Sequence, residues 1–166
     1  MNKLDIHHIN ADSPYHVEES DDSYFFEFFT DHDVHYSVGF MPDDSLLKAE
    51  TCHLIIVNVN NRQSPSDRKV KDTVLGIVAE FFEKNNTTLL YICETGDGKQ
   101  YLRNRLFERW FSSYKHKALY TSVSSSVIDE DGIMNYATII VRNDNPNLVE
   151  IVSEFTETVR LLNQKP

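Results

Sequence analysis

The chain has 166 residues, 40% hydrophobic and 25% charged, a length and balance that suit a single folded domain with a real core. Its formal net charge of −10 sets an average field that repels polyanions, excluding general binding to nucleic acid or to a membrane surface. No apolar run approaches the roughly eighteen residues of a membrane span, and two cysteines are too few for a disulfide framework.

The N-terminus, Met1-Asn2-Lys3-Leu4-Asp5-Ile6-His7-His8, lacks the basic-then-apolar layout of a signal peptide. A cytoplasmic protein with reduced thiols at Cys52 and Cys93 is therefore expected. Residues 1–22 are polar without a clear period and read as a loosely held arm, which leaves 23–166 as one domain. Residues 24–30, Tyr-Phe-Phe-Glu-Phe-Phe-Thr, read as an aromatic-rich strand. After a polar turn at Asp31-His32-Asp33, the alternation of Val34, Tyr36, Val38 and Phe40 predicts a second strand with one drier face. The near-continuous apolar run over residues 53–59 suits a central strand buried on both faces.

Ser64-Pro65-Ser66-Asp67 is helix-start chemistry, and Val70, Val74, Ile77, Val78, Phe81 and Phe82 form one apolar stripe that ends at Asn85-Asn86. A fourth strand spans residues 88–93. A loop with Gly96 and Gly98 follows, then a helix from about Lys99 to Tyr114, with Leu102, Leu106, Phe107, Trp110 and Phe111 as its stripe. Two further strands, near 119–128 and 134–141, flank the hairpin signal Asp129-Glu130-Asp131-Gly132. Asn145-Pro146 opens a last helix whose apolar side is Leu148, Ile151, Val152, Phe155, Val159 and Leu162. The order β-β-β-α-β-α-β-β-α predicts an α/β (α+β) domain around a mixed six-stranded sheet, with the third and fourth strands parallel through a helical crossover.

The most informative stretch for function is the strand-to-helix junction at residues 89–100, Leu-Leu-Tyr-Ile-Cys-Glu-Thr-Gly-Asp-Gly-Lys-Gln. Backbone N–H groups at such a turn and the positive end of the helix dipole form a natural anion site. At 100° per residue, Lys99 and Arg103 project on the side of Leu106, Trp110 and Tyr114, so two cations on a core-facing stripe need a negative partner. That partner is either an internal acid such as Glu94 or a bound anion. With the third and fourth strands parallel, Ser64, Ser66 and Arg68 start the preceding helix at the same sheet edge, where open α/β sheets place their ligands. Gly96, Gly98 and Lys99 would cradle the anion and Arg103 would neutralise it. A P-loop is not spelled here: Gly98-Lys99 fits, but Cys93 stands at the first glycine and Gln100 at the magnesium-binding hydroxyl.

Other constellations have plainer readings. Asp31, Asp33 and His35 share a strand face and could recruit His7, His8 or His16 to a divalent metal, yet the spacing matches no tight site, so no metal is assigned. Cys93 ends a strand near a helix start, where a thiolate would be favoured, but no histidine is close in sequence and a small buried hydrophobe is the default. The acids Glu18, Glu19, Asp21, Asp22, Asp31, Asp33, Asp43 and Asp44 make residues 18–50 an acidic face open to a protein partner.

Over residues 24–142 the element order resembles the core of the GNAT acetyltransferase superfamily, which implies an acyl-CoA pyrophosphate bound at the start of the first long helix. Gln63, Ser66 and Arg68 are the nearest occupants of that family's Arg/Gln-x-x-Gly-x-Gly/Ala pattern, and no glycine lies between Asn61 and Val70. Leu106-Phe107-Glu108-Arg109-Trp110-Phe111 is similar to the family's Leu-Tyr-Glu-Lys-x-Gly-Phe segment, with Phe107 in place of the tyrosine that protonates the thiolate. The whole chain also resembles a family of small uncharacterised bacterial proteins, through residues 92–100 and through 141–146, Val-Arg-Asn-Asp-Asn-Pro. The expected function is binding of an anionic small molecule, a nucleotide or CoA-like ligand, at the strand-helix junctions. The alternative is a non-catalytic protein-interaction or regulatory module.

Overall fold

The computed structural model describes residues 1–46, 48–93 and 98–164. Seven strands form one mixed sheet in the order β1-β2-β3-β4-β5-β7-β6. They are β1 (Glu18–Glu19), β2 (Phe25–Phe29), β3 (His35–Asp43), β4 (Thr51–Asn58), β5 (Thr88–Cys93), β6 (Tyr120–Ile128) and β7 (Met134–Arg142). The helices are α1 (Ile6–Asp12), α2 (Arg68–Lys84), α3 (Gln100–Ser112) and α4 (Leu148–Asn163), with a short 3-10 turn at Lys117–Leu119. β4 and β5 are parallel, as the helical crossover requires, with Thr51 opposite Thr88 and His53 opposite Leu90. The sheet has one strand more than the six expected, because Glu18 and Glu19 pair with Glu27 and Phe26 of β2.

The chain forms two compact units. The first comprises Met1–Met41 and Leu54–Asn85. Residues 1–17 are bound into it, contrary to the loose arm expected. Asp5 caps α1 by accepting from the N–H groups of His7 and His8, and Leu4, Ile9, Tyr15 and Val17 are buried. A seven-residue helix has little stability of its own, so this packing is what holds it. Asn10 supplies both halves of a bidentate pair, donating to the Val17 carbonyl and accepting from the Val17 N–H at 2.8 Å each. These apolar residues are too sparse to show a period, which is why pattern alone missed them.

In the same unit β2 and β3 pair in the register Phe26 to Val38 and Phe28 to Tyr36. Phe26 and Phe28 point into the core, while Phe29 faces out and stacks on His35 at 4.3 Å. Asp67 caps α2 by accepting from the Lys69 N–H at 2.9 Å. The predicted α2 stripe is the buried one, and Phe81 stacks on Phe40 of β3 at 4.5 Å.

The second unit comprises Pro42–His53 and Asn86–Pro166. Its core gathers Leu46, Leu90, Ala137, Ile139, Val141, Ile151, Phe155 and Val159. The β6–β7 hairpin turns where the sequence signals it. Gly132 adopts φ 77°, and Asp129 Oδ1 accepts from the N–H groups of Asp131 and Ile133. β5 divides its side chains between two helices: Leu90 and Ile92 face α4, and Tyr91 stacks on Phe107 of α3 at 4.2 Å.

The stripe expected for α3 is rotated. Leu102 and Leu106 are 63% and 43% exposed, whereas Asn104 and Phe107 are 6% and 4% exposed, with Arg103, Trp110 and Phe111 half-buried. The Phe107–Tyr91 contact sets the angle at which α3 meets the sheet and turns the two leucines to solvent. Leu106, which was to share a face with Arg103, does not.

Candidate functional site

The residues predicted to bind an anion fall in different settings. Glu94 and Gly96 lie outside the described residues. Gly98, Lys99 and Arg103 stand together in the second unit at the start of α3. Gly98 has φ 74°, a left-handed conformation natural to glycine, and the Lys99 carbonyl accepts from the Arg103 N–H at 3.0 Å. Lys99 is exposed and Arg103 half-buried. Ser64, Ser66 and Arg68 are exposed residues of the first unit, leading into α2. Asp67, rather than either serine, caps that helix, and the Arg68 Nε lies 3.9 Å from Asp72.

Under α3 the structure assembles a polar cluster. The Tyr91 hydroxyl and the Cys93 thiol are hydrogen-bonded to each other, and the positive charge of Arg103 acts on both. Burial pushes the Cys93 thiol up, with the Tyr91 hydrogen bond and Arg103 opposing it, so the nucleophilic thiolate is disfavoured. Burial also raises the Tyr91 hydroxyl strongly. On α3 itself, the Oδ1 of the buried Asn104 has no hydrogen-bond partner among the described residues. Both cysteines are buried and neither is in a disulfide among the described residues. Phe107, at the position the acetyltransferase resemblance gives to a proton donor, is packed face to face against Tyr91.

On the opposite face of β5 lies a feature the sequence did not announce. A cavity of about 1060 Å³ opens between α4, the β5–β7–β6 strands and residues 45 and 46. Leu90, Ile92, Ala137, Phe155, Val159 and Leu162 make its apolar walls. Ser45, Asn135, Thr158 and Asn163 add polar groups to the lining, and Asp129 and Glu130 are its charged members among the described residues. Asn163 holds the end of α4 to β6, accepting from the Ile128 N–H and donating to the Ser126 carbonyl at 2.9 Å each. The hydrophobic stripes of α4 and β7 were legible, but the gap left between them depends on how the helix sits on a twisted sheet.

The acids and the histidine of the β2–β3 turn each have other contacts. Asp31 accepts from Lys69 Nζ at 2.9 Å, Asp33 occupies a left-handed turn at φ 57°, and His35 stacks on Phe29. His8, one of the histidines considered there, instead meets carboxylates of α2. His8 Nδ1 lies 3.1 Å from Glu80 Oε2 and 4.0 Å from Glu83 Oε2.

Strand order, a β4–α2–β5 parallel crossover and an antiparallel β5–β7–β6 edge define an α/β protein with a mixed seven-stranded sheet. No helix of the described residues is long and apolar enough to cross a membrane. The chain belongs to a family of unknown function, DUF6169, whose model matches residues 66–157. That span runs from the start of α2 through most of α4, and it includes β5, α3, the hairpin and most of the cavity wall. No curated protein sequence matches the chain.

Proposed function

We propose that this protein binds a small molecule with an apolar body in the cavity between α4 and the β5–β7–β6 strands. The observation that carries the reading is the cavity itself, about 1060 Å³ with aliphatic and aromatic walls and a few convergent polar groups. Ligand sites of soluble proteins have that size and that division of polarity. Among the described residues its charged lining is Asp129 and Glu130, which favours a ligand that is neutral or carries a cationic head.

Thermal shift with octylamine, octanol and octanoate tests the reading. The amine is expected to stabilise most and the carboxylate least. Ala137 lies on the cavity wall, so Ala137→Leu fills the ligand's space and abolishes the shift. If none of the three stabilises the wild type, or Ala137→Leu responds as the wild type does, the reading fails.

A second reading, binding of a nucleotide or CoA-like anion at the start of α3, is supported by the half-buried Arg103 and by the buried amide oxygen of Asn104, which has no hydrogen-bond partner among the described residues. CoA and adenine nucleotides would then stabilise the protein, and Lys99→Ala with Arg103→Ala would erase the gain. The acetyl-transfer route has no proton donor at Phe107, so binding without transfer is the form this second reading takes.

A further inference from the structure

In the first unit, α1 and α2 bring three metal-ligating side chains together; both sites above belong to the second unit. His8 Nδ1, Glu80 and Glu83 each offer one ligand atom, and these atoms lie within 4.8 Å of one another. Glu80 and Glu83 are three residues apart on α2, so they share a face of that helix. Glu80 is only 4% exposed, whereas the side chains of His8 and Glu83 are 54% and 64% exposed. A buried carboxylate anchors the group, and the two other ligands leave a path from solvent. We propose that His8, Glu80 and Glu83 form a site for a divalent transition metal of the zinc class.

Three physical points carry the assignment. The donor set is one imidazole nitrogen and two carboxylates, which suits zinc and its neighbours; magnesium and calcium take oxygen ligands alone. Ligand bonds of about 2.0–2.1 Å in a tetrahedron place ligand atoms about 3.4 Å apart. The His8–Glu80 separation of 3.1 Å and the His8–Glu83 separation of 4.0 Å bracket that value, and the exposed Glu83 side chain closes the remainder by rotating. Glu80 is also oriented from behind: its Oε1 accepts from the Asp5 N–H at 3.1 Å and lies 3.9 Å from Lys84 Nζ. Outer hydrogen bonds of this kind aim a ligating carboxylate. Water completes the coordination on the solvent side. The bound ion would staple α1 to α2 and so tie down the N-terminal segment.

The test is calorimetric titration of the chelator-treated full chain with zinc chloride, and separately with magnesium chloride. One equivalent of zinc binds saturably, magnesium does not, and Glu83→Gln or His8→Ala weakens zinc binding at least about tenfold. Glu83 is largely exposed, so Glu83→Gln leaves folding intact even if His8→Ala loosens α1. His7→Ala and His16→Ala, exposed histidines of the same segment, bind zinc as the wild type does. A second readout is amide exchange: zinc slows exchange across residues 6–12 in the wild type but not in Glu83→Gln. Absence of saturable zinc binding, undiminished binding by Glu83→Gln, or loss of binding in His7→Ala would each overturn the site and leave His8–Glu80 as a hydrogen-bonded contact only.

Discussion

Replacing Tyr15 by Phe removes one oxygen and tests whether the N-terminal segment is part of the fold. The Tyr15 hydroxyl donates to Asp67 Oδ2 at 2.5 Å and accepts from the Asp31 N–H at 3.2 Å. Asp67 is itself the cap of α2, and Lys69, two residues on, reaches back to Asp31 and lies 5.5 Å from the centre of the Tyr15 ring. The hydroxyl therefore joins residue 15, the β2–β3 turn and the start of α2. A hydrogen bond to a charged acceptor contributes about 1.5–3 kcal/mol net, and the partially exposed Asp67 regains some hydration, so Tyr15→Phe should cost about 2 kcal/mol. At a urea slope of about 2 kcal/mol per molar, the unfolding midpoint should fall by about 1 M. Circular dichroism across a urea series reads this directly. A cycle with Asp67→Ala subtracts the capping contribution of Asp67 and should leave a coupling of about 1.5 kcal/mol.

The same hydroxyl makes a pH prediction. Burial, with the Asp67 carboxylate adding to it and the Asp31 N–H opposing, pushes Tyr15 up to about 12 from its ordinary value near 10. A raised folded-state pKa means the fold favours the protonated hydroxyl. Its contribution is complete below pH about 10 and drains away as pH climbs towards 12. Wild type and Tyr15→Phe should thus converge in stability at high pH. A midpoint change under about 0.3 M at neutral pH, or stabilities that add within about 0.5 kcal/mol in the cycle, would refute the account.

Three further outcomes follow from the same coordinates. Gly39→Ala should destabilise by about 1–3 kcal/mol, because a Cβ there would lie 2.2 Å from the Phe25 ring across the β2–β3 pair; Gly39→Ala with Phe25→Ala should recover part of the loss in thermal melts. Asn163→Ala should speed amide exchange at Ile128, whose N–H it holds, without affecting Ile139 in the centre of β7, as read by exchange NMR. Burial raises both cysteine thiols, so neither Cys52 nor Cys93 should react with Ellman's reagent at pH 8 until the protein is unfolded.

The amino-acid pattern alone determined the major strands after residue 22, three of the four helices among the described residues, the Asp129–Gly132 turn and the parallel crossover through α2. These rest on local signals: period two in β3, period 3.6 in α2 and α4, caps and turn glycines. Residues 89–100 stood out as a junction; Lys99 directly precedes α3 there, and residues 94–97 lie outside the described residues. What tertiary structure decided was whatever depends on angle and distance between elements. The Tyr91–Phe107 contact turned α3 so that Leu102 and Leu106 face water. Scattered apolar residues at 4, 9, 15 and 17 are buried although no periodicity announced it, and His8 on the same segment meets Glu80. The cavity under α4 arose in the same way, since a void is set by how two well-patterned surfaces fail to meet, and neither surface carries that information by itself.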